Sequence, residues 1–225
     1  AWAERCAVST ATLSELPEEV SFEAASTLPV AGLTALRALA VGGLTLGRRV
    51  AVTGASGGVG RFALQLAARG GAHVTGAVGR PESSEGLEAL GAEEVVVGLE
   101  PAGEPFDLIL ESVGGETLAA ALSRVAPQGT IVSFGSTSGE ETSFSAGALY
   151  GGASGARLYG LYVFDEIARA RSGARDLATL VGLVASGELD PQIDLELDWG
   201  DARQAVEALL DRRVRGKAVL RVEGA

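Results

Sequence analysis

RVAVTGASGGVGRFALQLAAR, residues 49–69, decides the fold. Arg49 to Thr53 is a short β-branched apolar run and reads as a strand. Val59 to Arg69 spaces its apolar residues as a helix does and reads as the helix behind that strand. Between them, Gly54-Ala55-Ser56-Gly57-Gly58-Val59-Gly60 forms a glycine-rich turn. Glycine permits a tight turn and lets a ligand reach the backbone amides, while a helix start supplies unpaired N–H groups and positive potential. Such a turn binds a pyrophosphate. The plainer alternative, a glycine-rich connection that binds nothing, loses ground because a strand and a helix flank the turn correctly.

Working outward, His73 to Val78 is a second strand, and Ser83 to Leu90 a short helix stopped at Gly91. Val95 to Val97 and Phe106 to Leu110 are the third and fourth strands, followed by a helix from about Glu116 to Val125. Thr130 to Phe134 is the fifth strand, entered through Pro127-Gln128-Gly129, and Leu158 to Val163 the sixth. Strands alternating with helices imply an α/β fold, a doubly wound Rossmann sheet of six parallel strands in the order 3-2-1-4-5-6. The flanks depart from that pattern. Cys6 to Ser9 reads as a strand before a Pro17 loop, and residues 176–225 give two amphipathic helices with strands at Ile193 to Leu197 and Ala218 to Val222. They are expected to form a second, incomplete unit.

Composition removes several classes of function. A net charge of −11 argues against a chain that neutralises many phosphates, so nucleic acid is not an expected partner. With Cys6 and His73 alone of their kinds, an internal disulfide, an iron–sulfur cluster, a structural zinc site and a Cys/His or Ser/His catalytic pair within the chain are not expected. Lys217 is the single lysine, and no Gly-Lys-Ser/Thr phosphate loop exists. Leu28 to Gly47 approaches the length of a membrane span, but Arg37 at its centre would cost about 2.5–3.5 kcal/mol there, so a buried helix is expected. The chain has no methionine and starts at Ala1, which suggests a piece of a longer product; its start lacks the apolar core of a signal peptide, and the expected location is cytoplasmic.

The end of the second strand bears on which dinucleotide the turn takes. An acidic residue there would bind the adenosine ribose of NAD, but the place holds Val78-Gly79-Arg80, with no carboxylate before Glu82. Arg80 suits a 2′-phosphate and points to NADPH, unless it is simply a solvated loop arginine.

TGASGGVG, residues 53–60, also suits short-chain dehydrogenases, but their Tyr-x-x-x-Lys pair is absent: Tyr150, Tyr159 and Tyr162 are followed four residues on by Ser154, Val163 and Glu166. LPVAGLTALRAL (28–39), GRRVAVTGASGGVG (47–60), LGAEEVV (90–96), FDLILESVGG (106–115), GTIVSFG (129–135) and GKAVLRV (216–222) together resemble the medium-chain dehydrogenase/reductases, most of all the zinc-independent quinone oxidoreductase branch. The resemblance implies that residues 1–27 end a GroES-like barrel domain, 28–165 form the Rossmann domain, and 166–225 return to the barrel, most of which is missing. It also implies that Ser56, Gly57, Gly58 and Val59 approach the pyrophosphate and that Gly79 and Arg80 face the adenosine phosphate. Ser112, Val113 and Gly114 would lie on the adenine side, and Phe134, Gly135, Ser136, Leu161 and Tyr162 near the nicotinamide. Thr34 would touch cofactor, and Lys217 would lie near the cleft unless it is a surface lysine beside Arg215.

The chemistry implied is hydride transfer from NADPH to a quinone or an activated C=C or C=O substrate without zinc. Such a step asks for orientation and dryness more than for a strong acid or base. No catalytic residue is singled out: Tyr162 could donate a proton or simply pack, while Asp107 and Glu111 suit strand-end hydrogen bonding. Two other readings stay open, a zinc-dependent alcohol or sugar dehydrogenase with ligands upstream and a non-catalytic cofactor-binding fragment. A small-molecule substrate and a homodimer through the edge strand Leu158 to Val163 are expected.

Overall fold

Val50, Ala51 and Val52 of β1 (Arg49–Thr53) are fully buried, as the central strand of a sheet covered on both faces must be. The structure, a computed structural model, describes residue 3 and residues 5–222. In chain order α1 (Phe22–Ser26) and a π-helical turn (Leu28–Gly32) lead into α2 (Leu33–Gly42), β1, α3 (Gly58–Arg69), β2 (His73–Val78) and β3 (Glu94–Val97). Then follow β4 (Phe106–Glu111), α4 (Gly115–Arg124), β5 (Val125–Ser133), α5 (Gly147–Tyr150), β6 (Arg157–Gly160), α6 (Val163–Ala170) and α7 (Gly173–Ala185). β7 (Ile193–Asp198), α8 (Ala202–Leu210) and β8 (Lys217–Arg221) complete the order.

The six-stranded sheet runs β3-β2-β1-β4-β5-β6 with every pair parallel, the expected topology. Its order reverses between β1 and β4, where doubly wound sheets open a crevice at the carboxyl ends of the strands. Alternate residues feed two cores. Val50, Val52, Leu108 and Leu110 pack with residues of α2, α3 and α7, whereas Ala51, Ile109 and Ile131 pack with Ala121 and Leu122 of α4. β7 and β8 form a separate parallel pair, with α8 between them in sequence. Arg221 ties that pair to α1 through Glu23 and also meets Glu196.

Several elements differ from the sequence reading. Residues 5–9 run as irregular chain into a 3₁₀ turn at Thr10–Thr12, with no strand at Cys6 to Ser9. In place of a helix over Ser83 to Leu90 there are two 3₁₀ turns, Pro81–Ser84 and Glu88–Leu90, because Gly86 (φ +78°) breaks the run between them. β5 begins at Val125, absorbing Pro127-Gln128-Gly129 as an irregularity where Gln128 takes φ +62° and the pairing with β4 shifts register.

The sixth strand ends at Gly160. Leu161 turns into the core at 7% exposure and Val163 opens α6, so neither lies on the edge strand as expected. The connection between β3 and β4, residues 98–105, holds no helix. Arg124 braces it instead, donating to the carbonyls of Glu100, Ala102 and Glu104, with its guanidinium 4.8 Å from the Phe106 ring centroid.

Of the stretch Leu28 to Gly47 expected as buried helix, residues 43–47 leave the helix as a connection that exposes Leu44 and Leu46. Leu28 to Gly42 is helical and largely buried, with Arg37 folded inward. Its guanidinium meets Glu166 of α6 at 2.9 Å and Asp176 of α7 at 3.6 Å. Among the described residues no helix is long and apolar enough to cross a membrane.

Candidate functional site

The turn after β1 is built by close approach. Gly54 takes φ +59°, and a Cβ on Gly60 would fall 2.4 Å from the Gly54 carbonyl oxygen and 2.7 Å from Cα of Ala55. Only glycine lets α3 begin this near the strand. Gly57 caps α3 without any side-chain hydrogen bond, so first-turn amides remain for a ligand. Against Gly58 of that first turn lies Lys217 of β8: a Cβ on Gly58 would stand 3.0 Å from Lys217 Cδ and 3.3 Å from Nζ. Lys217 is half-buried, and that burial holds its ammonium below the ordinary lysine range. Its Nζ has no hydrogen-bond or ion-pair partner among the described residues. An uncapped helix start and an unpaired ammonium thus converge, with no carboxylate between them. The set fits a diphosphate.

Beside the turn, the ends of β1, β4 and β5 are knitted by Glu111, whose side chain is fully buried. Its Oε1 accepts the amides of Val113 (2.7 Å) and Gly114 (2.9 Å) and the Thr53 hydroxyl (3.3 Å). Ser112 donates its amide to Thr53 Oγ1 (3.0 Å) and its hydroxyl to the Thr53 carbonyl (3.1 Å). The amides of Thr137 and Ser138 donate to the carbonyls of Ser112 and Val113 at 3.1 and 2.9 Å, zipping the loop after β5 to the loop after β4. Gly135 is needed there, since a Cβ would meet the Ser112 carbonyl at 2.9 Å. Asp107 and Glu111 therefore make strand-end hydrogen bonds as expected, Asp107 accepting the Arg49 amide at 2.9 Å.

The structure brings the 56–59 turn, Ser112 to Gly114, Phe134 to Ser136 and Lys217 to one end of the sheet. Gly79 and Arg80 leave the end of β2 exposed, with Arg80 Nε 3.4 Å from Glu82 Oε1. Residues 78–80 themselves carry no carboxylate, buried Val78 passing directly into Gly79; the carboxylate nearest in sequence is that of Glu82, paired with Arg80. Thr34 is buried in the first turn of α2. Tyr162 is exposed at the cap of α6, edge-on to Phe164 with ring centroids 5.5 Å apart. Arg61 escaped the sequence reading. It is buried at 6% exposure, one turn into α3, with Nε donating to the Ser56 carbonyl at 3.1 Å. A helix-face arginine carries no local signal of burial, because its other partners are distant in sequence.

A cavity of about 280 Å³ flanks Arg61 between Glu85, Gln192, Asp194 and Arg215. Another, of about 460 Å³, lies under the 98–105 connection and is walled by Arg49, Phe106 and Arg124 rather than by the glycine turn. Among the described residues no cluster of three His, Cys, Asp or Glu is placed to hold a metal ion.

Residues 90–220 match the family described as Zinc-binding dehydrogenase. The chain is 31% identical over 218 residues to the chloroplast envelope quinone oxidoreductase homolog of Arabidopsis thaliana, covering 91% of this chain and 63% of that protein. The structure of the quinone oxidoreductase from Coxiella burnetii matches with a TM-score of 0.76 at 30% identity, over 93% of this chain and 63% of the other. The yhdH oxidoreductase from Salmonella enterica, solved in complex with NADP, matches with a TM-score of 0.77 at 26% identity, over 92% and 66%. This chain spans just under two thirds of each. It belongs to the medium-chain dehydrogenase/reductase family and is quinone oxidoreductase-like within it.

Proposed function

We propose that the chain is the nucleotide-binding part of an NADPH-dependent oxidoreductase that reduces a quinone or an activated C=C or C=O substrate without zinc. The observation that carries this reading is the uncapped start of α3 beneath the unpaired ammonium of Lys217. Gly58 and Val59 would hold the diphosphate by their amides, with Gly57, whose own amide closes the turn onto the Gly54 carbonyl at 2.9 Å, allowing its close approach and Lys217 neutralising it. Arg80 would take the adenosine 2′-phosphate in exchange for its loose pairing with Glu82 at 3.4 Å, since residues 78–80 offer a guanidinium where an acid would bind the ribose. Ser112 to Gly114 and Phe134 to Ser136 would line the remainder, with Leu161 and Tyr162 beyond them and Thr34 as a further contact. The bound nicotinamide would supply the hydride. The protein's part is then to orient it and keep water away. Several relatives carry names or titles with quinone oxidoreductase or NADP, which supports both halves of the reading.

Residues 1–27 and 166–225 are assigned in this reading to the barrel domain that completes the substrate cleft, and the free edge of β6 to a homodimer contact. Fluorescence titration with NADPH and NADH, followed by NADPH oxidation with 9,10-phenanthrenequinone and an alkenal, tests the whole reading. Tight NADPH binding with turnover of either substrate is the expected result. Binding without turnover would favour the fragment that only holds cofactor, and metal-dependent turnover of an alcohol would favour the zinc enzyme.

A further inference from the structure

Arg61 sits inside the molecule with no carboxylate in ion-pair reach among the described residues, held by three neutral acceptors. Nε donates to the Ser56 carbonyl at 3.1 Å, Nη1 to Gln192 Oε1 at 2.7 Å and Nη2 to the Glu85 carbonyl at 3.3 Å. Those acceptors belong to the glycine turn, to the segment before β7 and to the loop after β2. One turn further along α3, Gln65 donates to the Asp190 carbonyl at 3.0 Å and accepts the Asp190 amide at 2.7 Å. The two side chains, four residues apart on one helix face, clamp residues 190–192 against α3.

What that clamp holds is the approach of Lys217. Gln192, in a left-handed conformation (φ +57°), offers its carbonyl to the Lys217 amide at 2.9 Å. Gly216 has no room for a side chain there, since a Cβ would meet the same carbonyl at 2.4 Å. Ile193 and Lys217 then pair as the first residues of β7 and β8. Among the described residues the Lys217 ammonium has no anchor, so where its backbone enters the strand decides whether the side chain reaches Gly58.

We propose that Arg61 is a positioning residue for the anion site: by fixing Gln192 and the Ser56 peptide together, it places the Lys217 ammonium over the first-turn amides of α3. The inference deepens the dinucleotide reading and rests on it for its consequence, although the placement itself does not need a nucleotide. A guanidinium is suited to the task because its planar fork reaches three acceptors in fixed directions. Lowered basicity at Lys217, caused by burial, agrees with an enforced position.

The single lysine makes the test clean, because outside the N-terminus Lys217 is the one amine that can be acetylated, and reading its own peptide keeps acetylation of Cys6 and the three tyrosines apart. Brief acetic anhydride pulses over a pH series, read by mass spectrometry of the Lys217 peptide, give the midpoint at which the amine becomes reactive. Arg61→Gln is expected to raise this midpoint by at least roughly half a unit toward the free value of about 10.4. Arg61→Lys is expected to move it less than Arg61→Gln does. An unchanged midpoint in a folded Arg61→Gln variant, with far-UV circular dichroism as wild type, overturns the proposal.

NADPH titration supplies the second arm. Arg61→Gln and Lys217→Gln should each weaken binding about tenfold, and the double variant about tenfold rather than about a hundredfold, since one residue acts through the other. Additive losses would overturn the proposal. If the wild-type chain binds neither NADPH nor NADH, the dinucleotide reading fails and the acetylation midpoint alone decides the role of Arg61. Should Arg61→Gln fail to fold, the same midpoint measured in Gln192→Ala decides it, with a rise expected and an unchanged value overturning the placement.

Discussion

Glu111 Oε1 lies 2.7 Å from the amide nitrogen of Val113, two residues along the same chain. The short loop thus folds back on the strand that precedes it. With the Gly114 amide at 2.9 Å and the Thr53 hydroxyl at 3.3 Å, one fully buried carboxylate fixes the crevice side of both β1 and β4. Removing it leaves two backbone donors without partners in a dry place. Glu111→Ala is therefore expected to cost about 3–5 kcal/mol, whereas Glu111→Gln, which keeps an acceptor oxygen, should cost about 1–2 kcal/mol. Urea unfolding midpoints at constant m-value measure both. An alanine loss below about 1 kcal/mol would mean that water substitutes for the carboxylate and that Glu111 does not organise the loop.

The glycines of the turn are not equivalent, and alanine separates their roles. At Gly60 a methyl group would meet backbone atoms of Gly54 and Ala55 at 2.4–2.7 Å, none of which can swing aside. Gly60→Ala should lose about 2–4 kcal/mol of stability and with it the anion site. At Gly58 the nearest atom belongs to the Lys217 side chain, at 3.0 Å, which can move. Gly58→Ala should keep the fold to within about 1 kcal/mol while weakening NADPH several-fold. Thermal unfolding paired with titration checks the contrast; equal thermal losses at the two positions would contradict it.

The sheet was legible in the sequence because buried parallel strands announce themselves as short β-branched runs, and the turn because close backbone approach demands glycine at fixed spacing. Leu161 and Val163 misled for the same reason. They continue an apolar run past Gly160, and a run does not say whether it stays on the sheet edge or turns inward to plug the core. Ser83 to Leu90 looked helical by composition, but Gly86 supplies a left-handed break. Arg61 and Arg37 were opaque in a different way. Each is a charged residue on a helix, drawn inward by partners that include Gln192 and Glu166, about 130 positions away. Lys217 was legible only through family resemblance, since nothing local to its strand shows that it lies against Gly58.

Choice of cofactor turns on Arg80. Its side chain is about half exposed and only loosely engaged by Glu82 at 3.4 Å, so it can be recruited by a phosphate without breaking a buried contact. Arg80→Ala should weaken NADPH by about 1.5–3 kcal/mol, the scale of a charged hydrogen bond, and leave NADH nearly unchanged. The NADPH loss should also shrink as salt rises, because the contact is exposed. Parallel titrations of both nucleotides decide the matter, and an equal loss for the two would remove Arg80 from phosphate recognition.

Acid stability is expected to report on Glu166. Burial alone would raise its carboxyl, but hydrogen bonds from Arg37, Tyr159 and Arg169 outweigh that and hold it below the ordinary glutamate range. A carboxyl lowered by folding stabilises the native state above its unfolded value of about 4.3, and that contribution disappears as pH falls through the folded value. Glu23 and Glu188 shift in the same direction, but both are solvent-screened and should contribute little. The wild-type chain should thus lose stability steeply below about pH 4.3, and Glu166→Gln should be less stable at neutral pH yet flatter over that acid range. The neutral-pH loss follows because Arg37 would keep only Asp176, at 3.6 Å, for its buried charge. Urea midpoints collected from pH 3 to 7 distinguish the outcomes, and parallel pH profiles for the two proteins would show that Glu166 is not the group that titrates.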